Sequence, residues 1–202
     1  MGLRLGILGG TFDPIHLGHL VIAQEAAAAL ALDRVLFLPA GRQPLKQAQA
    51  TTPVIQRVAM IRAAIADNPA FALSRADLDQ PGLSYTVDTL DRLRTAWGPE
   101  AQFWFIIGAD ALANLLAWRD PAGILARTRL AVAPRPAVTV PWSVLDAALP
   151  TLRSQIDAIP APPIAVSSTD LRARVAAGRP IRYLVPDNVA AYIRQHGLYC
   201  GR

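Results

Sequence analysis

The sequence predicts an open, doubly wound α/β fold: a parallel sheet with helices on both faces. Three observations carry that expectation. Short apolar runs rich in Val, Ile, Leu and Phe alternate along the whole chain with stretches of helical spacing. Most of these runs pass through small or polar turn residues into a helix, which is the order of repeated strand–helix units. The runs are continuously apolar, as strands buried on both faces are.

Leu3–Leu8 is the first predicted strand and Gly18–Leu32 the first helix. Arg34–Pro39 follows as the second strand and Gly41–Thr52 as a loop. Thr52 as N-cap and Pro53 at the first helical position open a helix that runs to Asp67. Phe71–Ser74 is a short strand, and Ser84–Trp97 is helical by the spacing of Val87, Leu90 and Leu93. Gln102–Ile107 is a strongly buried strand, followed by Gly108-Ala109-Asp110 and another helix. Arg129–Ala133 is a further strand, whereas residues 134–163 are proline-rich and show no clear period. Ile164–Val166 reads as the last strand, entering Ser167-Ser168-Thr169 and a helix that ends near Gly178. Pro186–His196 forms the final helix. Sheets of this class bind ligands beyond the carboxyl ends of their strands, at the switch point. The turns Gly9–His19, Gly108–Asp110 and Ser167–Thr169 all follow strands, so they should converge on one edge.

A length of 202 residues suits one domain, with a small C-terminal helical region from about 168 to 202. Hydrophobic residues make up 52% and charged residues 17%, enough for a sizeable core. The longest unbroken apolar run, Ala26–Leu32, is too short to span a bilayer. Met1-Gly2-Leu3-Arg4 lacks the apolar block of a signal peptide. The expectation is a soluble cytoplasmic protein without a membrane partner. The net charge of +5 suits an anionic phosphate ligand, and the dispersal of the basic residues argues against a nucleic-acid partner. Nineteen of the twenty basic residues are Arg, and the only lysine is Lys46. A lone Cys200 excludes an intrachain disulfide and a cysteine-cluster metal site. Oligomeric state, including a homo-oligomer, is left open.

Residues 9–20 hold the densest chemistry. Gly9 and Gly10 allow close approach of a ligand to the backbone and conformations that a side chain would forbid. The usual dinucleotide and P-loop fingerprints are absent. Two of the three histidines, His16 and His19, lie here at i and i+3, on one face of a helix's first turn. A helix N-terminus favours an anion and disfavours imidazolium. Two neutral imidazoles there can donate to phosphate oxygens and stabilise charge that builds on a transferring phosphoryl group. With no third histidine or cysteine nearby, zinc is the weaker reading. A second constellation is Ser167-Ser168-Thr169-Asp170-Leu171-Arg172, with Ser168 as the expected N-cap and Arg172 on its face one turn in. A cation at that place needs an anion, either a bound phosphate or Asp170.

The run from Gly9 through Thr11, Phe12, Asp13, Pro14 and His16 to His19, followed by Val166-Ser-Ser-Thr-Asp-Leu-Arg172, resembles the nucleotidyltransferase superfamily with HxGH and ISSTxxR signatures. Within it, the chain is similar to bacterial nicotinate-nucleotide adenylyltransferases. Ser84-Tyr85-Thr86, Gly108-Ala109-Asp110 with Trp118-Arg119, and the ending Tyr192–Tyr199 carry that finer likeness. The resemblance implies a Rossmann-like sheet and adenylyl transfer from ATP to nicotinate mononucleotide, with Mg²⁺ held by phosphates and water. It implies catalytic roles for His16, His19 and Arg172. It implies ATP contacts from Gly9, Gly10, Thr11, Phe12, Gly108, Asp110, Ser167, Ser168 and Thr169. It implies acceptor contacts from Thr11, Lys46, Tyr85, Thr86, Trp118 and Arg135. Relatives often carry Pro-Pro-His-Lys after strand two, where this chain reads Gln43-Pro44-Leu45-Lys46, so that histidine is missing. Competing readings are a phosphopantetheine adenylyltransferase, a cytidylyltransferase, and a non-catalytic nucleotide sensor or RNA-binding relative.

Overall fold

The computed structural model describes residues 2–41, 51–80 and 82–200. Six strands form one parallel sheet in the order β3-β2-β1-β4-β5-β6. They are β1 (Arg4–Gly10), β2 (Arg34–Pro39), β3 (Phe71–Leu73), β4 (Gln102–Gly108), β5 (Arg129–Ala133) and β6 (Ile156–Ala158). The helices are α1 (Leu17–Ala29), α2 (Val54–Ile65), α3 (Thr86–Trp97), α4 (Ala109–Ala113), α5 (Pro121–Arg127), α6 (Trp142–Ala148), α7 (Ser168–Ala176) and α8 (Asp187–Gln195). The expected open, doubly wound α/β sheet is therefore the observed one. The chain runs outward from β1 in one direction, then returns to add β4 on the other side. The switch point thus lies between β1 and β4, where Leu8 is level with Ile106.

The period of two along each strand divides the core into two layers. Leu8, Val35, Phe37, Trp104, Ile106 and Ala131 face one way and are buried against α1, α2, α7 and α8. Leu5, Ile7, Leu36, Leu38, Phe103, Phe105 and Leu130 face the other way, against α3, α5 and α6. Both faces are covered, which is why the runs look continuously apolar in sequence.

Three expectations about element ends require correction. The last strand is Ile156–Ala158, not Ile164–Val166. Ile159 still donates to Val132 at 2.9 Å, but Pro160, Pro162 and Pro163 have no N–H to continue the ladder. The chain leaves the sheet there, and Ile164 is exposed. Within the proline-rich stretch lies α6, which has no amphipathic repeat long enough to read in sequence. At the start of α2, Pro53 is itself the N-cap, rather than Thr52. Thr52 is held outside the helix because its N–H donates to the Asp13 carboxylate and its C=O accepts from Arg57.

Edge strand β6 is pinned by charge. Asp157 accepts from Arg129 through both carboxylate oxygens, at 2.6 and 3.0 Å, and from Trp104 Nε1 at 2.9 Å. The Arg129 hydrogen bonds, helped by Trp104, hold the Asp157 carboxyl below the usual carboxylate range. Because the folded value is depressed, the stabilisation is full above the unfolded value near 4 and is lost as pH falls further. The site is partly solvated, so Asp157→Asn should lower the unfolding free energy by only about 1–2 kcal/mol at neutral pH in urea denaturation. The gap between the two proteins should close on acidification below about pH 4.

Candidate active site

The loop from Thr11 to His16 joins the carboxyl end of β1 to α1, at the switch point. Gly9 and Gly10 are level with Leu38 and Pro39 in regular sheet pairing. Neither adopts a positive φ, which corrects the expectation of a backbone that a side chain would forbid. Their smallness serves packing, since a Cβ at Gly9 would lie 3.2 Å from the Phe105 ring and one at Gly10 3.1 Å from that of Phe12. Phe12 takes the left-handed conformation instead, with φ +50. Its ring is buried beneath the site, edge-on to His19 with centroids 4.9 Å apart. Phe12 is thus a floor for an imidazole rather than an exposed wall of a nucleotide pocket.

His16 is the N-cap of α1 and His19 lies three residues further on. Their rings stack with centroids 3.7 Å apart. Gly18 makes this possible, because a Cβ there would sit 3.1 Å from His16 Nδ1. The His16 N–H donates to His19 Nδ1 at 3.2 Å. A neutral His19 therefore carries its proton on Nε2, free to donate. His16 Nδ1 is buried with no hydrogen-bond partner among the described residues, an unsatisfied polar atom of the kind functional sites retain.

Burial, reinforced by the charge of Arg135, lowers the His16 pKa to about 4. Burial also drives His19 well below the usual imidazole range, with His16 and Arg135 adding to the effect. Both rings are neutral at pH 7, as a helix N-terminus demands. Arg135 thus stands near both rings, and its Nε donates to Asp110 Oδ1 at 3.1 Å. Asp110 lies in the first turn of α4, directly after Gly108 at the end of β4. The turns after β1, β4 and β5 therefore meet.

The Ser167–Arg172 constellation joins them, with altered roles. Ser167, not Ser168, is the N-cap of α7 and accepts the Asp170 N–H at 3.1 Å. Ser168 is the first residue of α7 itself, and its hydroxyl donates outward to Pro14 C=O at 2.9 Å. Arg172 donates to Asp13 C=O at 2.7 Å and to Thr169 Oγ1 at 3.4 Å. Asp170 pairs with Arg174 at 2.7 Å rather than with Arg172.

Of the predicted acceptor residues, Tyr85 and Trp118 pack against the second core layer. Trp118 stands edge-on to Phe105, with centroids 5.9 Å apart, and Phe105 borders Gly9. Tyr85 is the N-cap of α3, and Thr86 opens that helix. The Arg119 guanidinium covers the Tyr85 ring at 4.5 Å and pairs with Asp88 at 3.3 Å. The expectation for Lys46, and the replacement at Leu45, lie outside the described residues.

Sequence reasoning missed Arg57. Its side chain is buried and donates to the carbonyls of Thr11, Ala40 and Thr52, at 2.8, 3.1 and 3.1 Å. The signal was present, since Arg57 shares the apolar face of α2 with Met60 and Ile61. A charge on a core face needs fixed partners.

This sheet, with its paired imidazoles at the switch point and arginines around them, defines a nucleotidyltransferase. The cytidylyltransferase-like family matches residues 7–174. A relative from Roseiflexus sp. (strain RS-1), named "Probable nicotinate-nucleotide adenylyltransferase", is 51% identical, covering 96% of this chain and 97% of its own. Another of that name, from Herpetosiphon aurantiacus, is 45% identical over 97% of this chain and 98% of its own. The chain belongs to the cytidylyltransferase-like family and, within it, to the nicotinate-nucleotide adenylyltransferases. The solved Plasmodium falciparum nicotinic acid mononucleotide adenylyltransferase complexed with NaAD shares the fold. Its TM-score is 0.78 at 18% identity, covering 98% of this chain and 97% of that one. Among the described residues no helix is long and apolar enough to cross a membrane.

The histidines set a pH dependence. Unfolded imidazoles titrate near 6.5, so below that value the unfolded chain binds more protons than the folded one. The stabilisation is full above pH ~6.5 and is lost as pH falls towards 4. A double variant, His16→Gln with His19→Gln, should therefore show a shallower fall of Tm between about pH 7 and pH 5 than the parent. Equal slopes would mean that the two rings are solvated in the folded protein.

Proposed function

We propose that the protein transfers the adenylyl group of ATP to nicotinate mononucleotide, yielding nicotinate adenine dinucleotide and pyrophosphate. The observation that carries this reading is the stacked, neutral His16–His19 pair at the start of α1, with Arg135 near both rings and Arg172 on the loop that leads to them. A phosphate oxygen of the mononucleotide attacks the α-phosphorus, and the bond from that phosphorus to the bridging oxygen breaks. Its electron pair leaves with pyrophosphate. No enzyme nucleophile is required, so catalysis comes from positioning and charge stabilisation.

In this reading His19 donates from Nε2 to oxygens that gain charge in the transition state, and His16 binds beside it. Arg172, with one N–H committed to the loop, offers its remaining donors to the departing pyrophosphate with Ser167, Ser168 and Thr169. Gly9, Gly10 and Thr11 border the nucleotide, with Gly108 and Asp110 at its ribose. A phosphate would compete with Asp110 for Arg135. Trp118 provides a face for the pyridine ring, and Tyr85 and Thr86 the edge for its carboxylate. Mg²⁺ arrives with the triphosphate as part of the substrate. Among the described residues no group of three or more His, Cys, Asp or Glu gathers to hold a metal. We read the chain as a single cytoplasmic domain in which α7 and α8 share the main core, with Leu171, Val189 and Ile193 buried alongside Leu8 and Phe37.

Pyrophosphate release from ATP, with nicotinate mononucleotide, nicotinamide mononucleotide and phosphopantetheine supplied separately, tests the reading. The nicotinate acceptor should dominate, and CTP should not replace ATP. Release with phosphopantetheine alone would overturn the acceptor assignment. His19→Ala should lower kcat by ~10²–10³-fold. Trp118→Ala should raise KM for the mononucleotide by about ten-fold, through lost stacking, and leave KM for ATP near its original value.

A further inference from the structure

The histidine loop is held chiefly by the C-terminal end of the chain. Tyr199 donates from its hydroxyl to Asp13 Oδ1 at 2.6 Å, across 186 positions of sequence. The other oxygen of that carboxylate accepts from the Thr52 N–H at 3.0 Å. Asp13 C=O accepts from Arg172, Pro14 C=O from Ser168, and the Leu17 N–H donates to Leu184 C=O at 3.0 Å. Asp13 is 3% exposed, so water does not replace a lost donor cheaply.

The tail reaches the loop by a defined turn. Past the end of α8, Gly197 sits at φ +57, where glycine carries no Cβ penalty. The Leu198 N–H returns to Ile193 C=O at 3.0 Å and the Gly197 N–H to Arg194 C=O at 3.3 Å, a Schellman stop. That reversal directs Tyr199 inward, where Met60 Sδ also lies 3.9 Å from its hydroxyl. Burial beside the Asp13 carboxylate pushes the phenol's pKa up, so the hydroxyl remains a donor.

We propose that Tyr199 and Asp13 are positioning residues for the reaction: the C-terminal hydroxyl fixes Asp13, and Asp13 fixes the loop that carries His16 and His19. The inference rests on the adenylyltransferase reading for its kinetic consequence, but its geometry does not. A short hydrogen bond to a buried carboxyl group is among the stronger neutral-donor contacts. The loop it anchors sets where the imidazoles meet the α-phosphate, and Tyr85 and Trp118 stand on other elements.

The test is Tyr199→Phe, which removes only the hydroxyl, beside Tyr192→Phe as a control. Tyr192 lies on α8, and its hydroxyl donates to Gln56 on α2 at 2.5 Å rather than to Asp13. Tyr199→Phe should lower kcat by about ten-fold while KM for the mononucleotide stays within about two-fold. It should also shift the side-chain NMR resonances of His16 and His19. Tyr192→Phe should do neither at a comparable loss of Tm. Asp13→Asn should reproduce the Tyr199→Phe effect, and the double variant should be no worse than the poorer single one. Parental kcat and unmoved imidazole resonances in Tyr199→Phe would overturn the proposal, as would equal effects from Tyr192→Phe. A parent enzyme without nicotinate-dependent turnover would instead overturn the functional reading, and the resonances would still decide whether Tyr199 positions the loop.

Discussion

The backbone of residues 11–17 must find hydrogen-bond partners outside its own segment, and much of the structure answers that requirement. A loop crossing the end of a parallel sheet has neither a helix nor a ladder to satisfy its polar groups. Here Arg57 from α2 takes the Thr11 carbonyl, Arg172 and Ser168 from α7 take those of Asp13 and Pro14, and Leu184 accepts from Leu17. Each partner comes from an element distant in sequence. The loop is therefore only as rigid as the packing of α2, α7 and α8 against the sheet, and those helices share one buried core with its strands.

That arrangement explains how neutral imidazoles are kept beside fixed cations. Arg135 stands near both rings, while burial and the helix N-terminus deny a proton to His16 and His19. The result is a site rich in donors, with positive charge on its rim and uncharged N–H groups at its centre. Such a site suits a ligand that brings its own negative charge. In the proposed reaction, charge developing on a phosphoryl group would meet donors that are already oriented and need little reorganisation. The Gly between the two histidines contributes to this, since a Cβ there would crowd the His16 ring at 3.1 Å.

Most of the fold was legible in the sequence because parallel strands covered on both faces are nearly pure apolar runs. Five of the six strands fall where those runs lie. The exception, β6, is three residues long and carries Asp157 at its centre, so its local composition hides it. The apolar triplet taken for it, Ile164–Val166, lies just beyond prolines that cannot extend a ladder. The capping errors share one cause. Ser167 and Ser168 are chemically equal in sequence, and Thr52 reads as a better cap than the Pro53 that takes the place. In each case a contact with the histidine loop, at Pro14 or Asp13, accompanies the shift of the helix start by one residue.

The sequence by itself determined the sheet class, the place of the histidine loop after β1, and the pairing of that loop with the Ser167–Arg172 segment, because these follow from local periodicity and from short motifs. Tertiary structure alone decided what holds the loop. Arg57 reads locally as a misplaced charge, Asp13 as one letter of a motif, and Tyr199 as an ordinary tail residue. Their meaning lies in a buried carboxylate and three backbone carbonyls that must be satisfied away from water. Such partners are chosen by packing between separate elements, 46 positions apart for Arg57 and Thr11 and 186 for Tyr199 and Asp13, and no local pattern records that choice.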